Sequence, residues 1–513
     1  MEQVNPVIPT ISTDLSKELD MKGIEAIKPK DMIKTKVQWN SVSTPLQSYT
    51  SASNNFIITL PSGIATTLKD AFCTFQLNSV IAAGTSRRNH VAAGVYDTQV
   101  HPVDAYAPFR RIDIRIANRI VDTITDPSLI QSLLYSYVGE DYLKSVAMET
   151  GVYAPQSVRN YYEGGSLSVA DVAGEHPIID LTTGVAPVEG ANLAAFVANV
   201  GNSSGSNSGG SNWIKASNDG VNYLLGLNLT PAAGGTAVTA GNYYRLSLTG
   251  LMKEEREFIT LPSQPVEIVF WLDQFNSCYF AEGAQLPSDY QISNFKLHYR
   301  MLELPESVLS QQISKLAMGD TNPGDRAYYV YESYRIFQQA IQATDQNILI
   351  NHPVNLPNVK AMFLVFRPQA DVGDVGVDDK KSCFVFPSTT ATATADLQFN
   401  IDSVPYPLDN ITVGPKNTVR AYDMTLQAFD ALENFESGVT MPSASFLQRG
   451  NCIFGIKFRA NELAASRYVG LLQIRFNMSA VAGAGYTSQV IVVYDTEMSR
   501  GAMTLDVYPP PNA

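Results

Sequence analysis

Two short stretches constrain this chain more than anything else in it. IDIRIANRIVDTITDP runs from Ile112 to Pro127, and LQFNIDSVPYPLDNITVGP runs from Leu397 to Pro415. Each alternates apolar and polar residues, breaks at a turn, resumes and stops at a proline. Alternation at period two marks a half-buried strand, because successive side chains point to opposite faces. Ile112, Ile114 and Ile116 match Leu397, Phe399 and Ile401 residue for residue, about 285 positions apart.

Neighbouring segments keep the same order. NNFIITLP and AFCTFQLNSV precede the first hairpin as QNILINHP and AMFLVFRP precede the second, and the offset stays between about 285 and 292. After each hairpin the period changes to that of a helix. Leu129, Leu133, Leu134, Tyr137 and Val138 form one apolar stripe, entered through Asp126-Pro127-Ser128; Val419, Tyr422, Leu426 and Phe429 form the other. YYRLSLTG, VEIVFWLD and NFKLHYRML before residue 305, and CIFGIKFRA, LLQIRFNMSA and QVIVVYDTE after residue 325, are further strands. Many short strands with Gly, Pro, Asn and Asp between them predict an all-β chain of two antiparallel sandwiches or barrels.

The copies differ in length, and the surplus falls at about residues 160–255 of the first. It contains VGNSSGSNSGGSNW, which has no apolar period and reads as a solvent-facing insertion, since long surface loops cost little closure entropy. The resulting division is an N-terminal arm (1–50), a first sandwich (51–305), a linker (306–326), a second sandwich (327–500) and a tail (501–513). The first 50 residues hold six Lys and six Asp or Glu, so an arm there is neutral by count. DVYPPPNA at the end reads as a short polyproline tail.

Composition excludes several classes of function. A net charge of −13 opposes a phosphate-neutralising surface, and Arg87-Arg88 and Arg110-Arg111 are only pairs. The sequence has no apolar run of the length that crosses a bilayer, and its first residues lack the pattern of a secretory signal. Cys73, Cys278, Cys383 and Cys452 are far apart and are expected to be buried free thiols; the sequons at Asn202, Asn228, Asn410 and Asn477 are expected to go unused.

The order of these pieces resembles the double jelly-roll major capsid proteins of icosahedral double-stranded DNA viruses. Within that group it is similar to those of virophages and polinton-like viruses, and more distantly to those of large nucleocytoplasmic DNA viruses. LQFNIDSVPYPLDN, INHPVNLPNVKAMFLVFRP and YQISNFKLHYRMLELP carry the resemblance. It implies two tandem eight-stranded jelly rolls with short loop helices and a large exposed insertion in the first. It further implies a structural protein that forms homotrimeric, pseudo-hexagonal capsomers in a virion shell. The partners implied are neighbouring capsomers, a penton protein and minor capsid proteins, with the N-terminal arm reaching a neighbour or an inner membrane. No nucleic-acid binding is expected.

Enzymatic readings fail on residue count. A duplicated jelly roll with a metal in each barrel needs clustered histidines, whereas His90, His101, His176, His298 and His352 are scattered. A carboxylate pair for glycoside cleavage has one candidate cluster, Glu254, Glu255 and Glu257, which reads as a solvated charge run. The loop Asp371–Lys380 lacks EF-hand spacing and reads as an acidic surface loop rather than a calcium site. A glycan-binding or glycan-cleaving surface protein is the alternative; Trp213 is the sole tryptophan in the insertion that could offer a sugar platform. No catalytic, cofactor-binding or metal-binding residue is assigned.

Overall fold

The alternating stretches pair as antiparallel strands in a computed structural model of the protein. It describes residues 36–81, 101–102, 105–136, 178–180, 213–216, 222–223, 237–239, 243–254, 256–280, 289–374, 380–432, 446–458 and 468–510. The first sandwich contains β1 (Lys36–Ser43), β2 (Asn55–Thr59), β3 (Ala65–Ile81), β4 (Phe109–Ile116), β5 (Arg119–Thr125), β6 (Tyr243–Ser247), β7 (Val266–Leu272) and β8 (Asp289–Glu303). One sheet runs β1-β8-β3 with β6 against β3, and the other runs β2-β7-β4-β5.

The second sandwich contains β9 (Ala327–Ile341), β10 (Asn347–Leu356), β11 (Val359–Pro368), β12 (Ala395–Ile401), β13 (Val404–Val413), β14 (Ile453–Lys457), β15 (Val469–Met478) and β16 (Tyr486–Arg500). Its sheets run β9-β16-β11-β14 and β10-β15-β12-β13. Counted from its own first strand, each sandwich puts strand one beside eight, eight beside three and three beside six. In the facing sheet two lies beside seven, seven beside four and four beside five. That double Greek-key order is a jelly roll, and the chain makes it twice.

The hairpin trios occupy equivalent places. Ile112, Ile114 and Ile116 lie opposite Phe270, Ile268 and Val266 of β7, while Leu397, Phe399 and Ile401 lie opposite Phe476, Ile474 and Leu472 of β15. Both trios are fully buried. Each hairpin then turns through two residues of positive φ, Ala117 and Asn118 (52° and 62°) or Asp402 and Ser403 (50° and 69°). Two such residues make the type I′ turn whose twist matches that of paired strands.

Aromatic rings fill the first core, where Phe295 lies 4.8 Å from both Phe56 and Phe270. Edge-on pairs of this kind add about 0.5–1.5 kcal/mol each beyond the area they bury. In the second sandwich β11 departs from alternation and is buried on both faces. Met362, Leu364 and Phe366 enter the second core, while Ala361, Phe363 and Val365 join a cluster shared with the first sandwich. The apolar run AMFLVF is therefore a strand with two buried sides.

The three longest helices among the described residues each follow a strand. In α1 (Pro127–Tyr135), Asp126 is the N-cap at φ 44° and Pro127 opens the first turn. Leu129, Leu133 and Leu134 are buried as the stripe requires; Tyr137 and Val138 lie outside the described residues. Helix α2 (Glu306–Met318) follows β8 and sets Leu316 against Ala65, Ile259 and Leu261. Helix α3 (Val419–Phe429) lies across β14, where a Cβ on Gly455 would stand 2.8 Å from that of Ala428. Its buried face differs from the expected stripe: Val419 is 72% exposed, while Ala421, Thr425, Ala428 and Phe429 are buried. Small residues face the sheet because the helix approaches so closely; Thr425 Oγ1 accepts from Gly455 N and donates to Ile453 O, both at 2.9 Å.

The segment boundaries also move. Residues 36–43, expected within the arm, form β1, paired along its whole length with β8. Residues 243–247, expected within the insertion, form β6, and Leu246, Leu248, Leu251 and Met252 fill the first core. A jelly roll needs a sixth strand, so the insertion ends before it. Residues 505–508, expected in the tail, add to the sheet against Glu497–Arg500. Of the insertion, Ile178–Asp180, Trp213–Ala216 and Asn222–Tyr223 pair as a small separate sheet. All four cysteines are buried free thiols.

Candidate functional site

Strand β9 opens the second sandwich but its first half is gripped by the first. Tyr329, Tyr331 and Tyr334 are buried in the shared cluster. The Tyr331 hydroxyl donates to Val121 O of β5 at 2.6 Å, and Tyr329 donates to Glu257 O at 3.3 Å.

Its centre is a carboxylate. Asp122 of β5 accepts from the backbone N–H of Thr123 (2.9 Å) and Leu251 (3.1 Å) and from Ser333 Oγ of β9 (3.3 Å). Burial pushes its pKa up to about 7, against the pull of those hydrogen bonds. Gly250 makes room for it: a Cβ there would meet Asp122 Oδ2 at 1.8 Å, and φ is 67°.

A buried arginine closes the seam from the other side. Arg500, at the end of β16, donates to Gln264 Oε1 at 2.5 Å and to Ile259 O at 2.7 Å, and its guanidinium lies 4.4 Å from the centre of the Phe258 ring. Burial lowers its pKa to about 10, which leaves it charged at neutral pH. A buried cation held by two acceptors and a ring face is fixed in geometry rather than strongly stabilising in itself.

Two lysines extend the junction. Lys381 Nζ lies 3.2 Å from Asp126 Oδ1 and 3.4 Å from Asp273 Oδ2, and Arg367 Nη2 lies 3.6 Å from Asp126 Oδ2. Burial alone would raise the Asp126 pKa, but the two cations outweigh it and hold the carboxyl below its usual value. Lys380 donates to Asn276 O at 2.7 Å, and burial lowers its pKa to about 8.

The chain's last strand straps the seam. Arg119 donates to Leu505 O, Ser263 donates to Ala502 O at 2.9 Å, and Gln264 Nε2 donates to Thr504 O at 3.2 Å. Asp320 accepts from the N–H groups of Met503 and Thr504, each at 2.9 Å. Such a network allows one relative placement of the sandwiches and penalises every other, because any slip leaves buried charge unpaired.

The residues weighed from sequence as chemistry are placed apart. His298 Nε2 is 2.8 Å from Thr74 Oγ1 and its ring stacks on Phe72; His352 is buried over Phe337. His101 lies in a two-residue strand, and His90 and His176 fall outside the described residues. Among the described residues no three His, Cys, Asp or Glu side chains stand where they could hold a metal. Glu254 Oε1 accepts from Arg256 N, burial raises the pKa of Glu257 beside Gln312, and Glu255 is outside the described residues. Asp371 is paired with Arg449 at 2.9 Å, and residues 375–379 are not described. An open cleft of about 460 Å³ in the second sandwich is lined by residues such as Phe386, Thr390, Pro415 and Leu447, with no ionisable side chain. Sequence reasoning missed Asp122, Arg500 and Lys381; the one available signal was an aspartate in the otherwise inward-reading run Val121–Ile124.

The outer edges contrast with the seam. β5 has Val121, Asp122, Thr123 and Ile124 all buried, whereas its counterpart β13 leaves Val404 53% and Leu408 80% exposed. On β1, counterpart of β9, Val37 is 44% and Trp39 58% exposed. Among the described residues no helix is long and apolar enough to cross a membrane.

No family model matches the sequence, nor does any curated protein. Solved structures do. The Sputnik virophage structure matches at 12% identity and a TM-score of 0.48, over 93% of this chain and 89% of that one. The Faustovirus major capsid protein matches at 9% identity and a TM-score of 0.47, over 95% and 94%. The mavirus major capsid protein matches at 11% identity and a TM-score of 0.43, over 100% and 97%. At these identities and TM-scores the fold assignment rests on the strand order: two jelly rolls in one chain.

Proposed function

We propose that this chain is a major capsid protein, a structural tile that self-assembles into trimeric, pseudo-hexagonal capsomers of an icosahedral virion shell. One observation carries the reading: two sandwiches of identical strand order are locked by a buried charged seam, with apolar edges left open at both ends of the pair. A doubled unit fixed in this way presents two similar sets of lateral edges, and three copies present six. The virophage and Faustovirus capsid structures are similar in fold, which accords with this reading.

A six-edged tile does not fill a five-fold vertex, so a separate penton protein belongs to the proposal, as do minor proteins between tiles. Residues 1–35, with five Lys against six Asp or Glu, are assigned to clamping beneath the capsomer, on a neighbour or an inner membrane. The reading is tested by size-exclusion chromatography with light scattering on the purified chain. A stable mass of three chains supports it; a monomer at all concentrations overturns it.

A further inference from the structure

We infer that His352 is an acid-sensitive latch: it keeps the open edge of the second sandwich closed at neutral pH and releases it in acid. The inference concerns the single chain and does not depend on assembly.

The strand order defines that edge. β9 ends one sheet of the second sandwich and β10 ends the other, paired with β16 and β15 respectively, and no ladder joins β9 to β10. Side chains must therefore hold the two sheets together here. Gln339 of β9 does part of this: its Nε2 donates to Leu349 O at 2.9 Å, and its Oε1 accepts from Asn351 N at 3.4 Å. His352 of β10 does the rest. Its ring stacks on Phe337 of β9, with centroids 5.4 Å apart, and the residue is only 8% exposed.

β10 alternates strictly, and His352 takes an inward position among Ile348, Ile350, Val354 and Leu356. Its Nε2 is buried and meets no hydrogen-bonding atom of the described residues. A neutral imidazole tolerates this by carrying its proton on Nδ1. Protonation places a charged N–H there without an acceptor, which is costly when buried. The surroundings do not compensate. Across the ladder His352 meets Leu472 of β15, and Phe337 and Arg335 of β9 lie opposite Val490 and Val492 of β16. Among these residues the one charge is a cation: the Arg335 guanidinium lies 5.5 Å from the centre of the Phe337 ring. Arg335 thus already uses the ring that could have favoured an imidazolium.

Burial accordingly lowers the His352 pKa from 6.5. A histidine with a depressed folded-state pKa stabilises the fold fully above about pH 6.5, and progressively less as the pH falls below it. Asp122 acts in the opposite direction, since its raised pKa favours the folded seam in acid. The released edge includes β9, whose Tyr331 and Ser333 bond the first sandwich, so acid loosens the second sandwich beside its anchor.

The test is hydrogen exchange on the full chain at pH 7.5 and pH 5.0, expressed as protection factors corrected for the intrinsic rate at each pH. Protection over residues 335–341 and 347–353 should fall about three- to thirtyfold at pH 5.0, the upper value being the limit for one histidine of unfolded pKa near 6.5. His352→Leu and His352→Gln, two replacements that do not titrate, should each abolish the fall, with circular dichroism confirming that the variant is folded. Unchanged protection in the wild type, or an equal fall in a folded variant, overturns the inference.

Discussion

Ser333, on the first strand of the second sandwich, donates its hydroxyl to the carboxylate of Asp122 on the fifth strand of the first, 3.3 Å away and buried. The residues are 211 apart in sequence, and their bond joins the two sandwiches. Because Asp122 sits at the seam, its ionisation state is coupled to how the sandwiches are held.

That coupling has a definite sign. The folded-state pKa of Asp122, about 7, lies above the value near 3.9 of an unfolded aspartate. The folded chain therefore holds this proton more tightly. The resulting stability is full below about pH 4 and is lost as pH rises through 7. The difference amounts to about 4 kcal/mol for this group. Denaturant unfolding at pH 5 and pH 8 should show the loss in the wild type and a much flatter response in Asp122→Asn. An unchanged slope in the variant would show that Asp122 is ionised in the folded state throughout.

Arg500→Met should destabilise the chain by roughly 1–3 kcal/mol, because Gln264 Oε1 and Ile259 O lose their buried donor. Hydrogen exchange should show the increase first around residues 257–264 and 498–505, on both sides of the seam. Exchange rising uniformly over the second sandwich instead would mean that Arg500 supports its own core only.

The two hairpin turns offer a change in the opposite direction. Ala117 and Ser403 hold positive φ at 52° and 69° without being glycine. Replacing either by Gly should stabilise the chain by about 0.5–1 kcal/mol by relieving that conformation. The measured quantity is the shift in unfolding midpoint, and a lowered midpoint for both variants would contradict the turn assignment.

Much of this fold is legible in the sequence because its signals are local. Ile112 to Ile116 and Leu397 to Ile401 carry a period of two, followed at once by turn residues, so face and register follow from neighbours in the chain. Strand β1 is less visible: its large apolar residues, Val37 and Trp39, face outward, so no buried stripe marks it. Strand β6 is legible as the strand-like run YYRLSLTG, but its position beside a long insertion without apolar period hides that it belongs to the sandwich. For α3, helical spacing alone does not report that Gly455 brings the sheet so close that Ala428 and Thr425, rather than Val419, face it. The seam is the least legible part. Asp122, Arg500 and Lys381 are ordinary charged residues until partners from the other half of the chain surround them.

The charge of the chain also bears on nucleic acid. With a net charge of −13 and no basic tract, the isolated protein should show negligible duplex-DNA binding at about 0.15 M salt in a gel-shift assay. Submicromolar binding that weakens steeply with added salt would show a phosphate-neutralising face.

The most direct measurement is electron microscopy of the purified full-length protein, with class averages calculated without imposed symmetry. The account predicts three-fold particles with a six-lobed outline, each chain contributing two adjacent lobes of similar size joined without visible flexing. Single two-lobed particles at every concentration, or lobes at variable angles to each other, would contradict it.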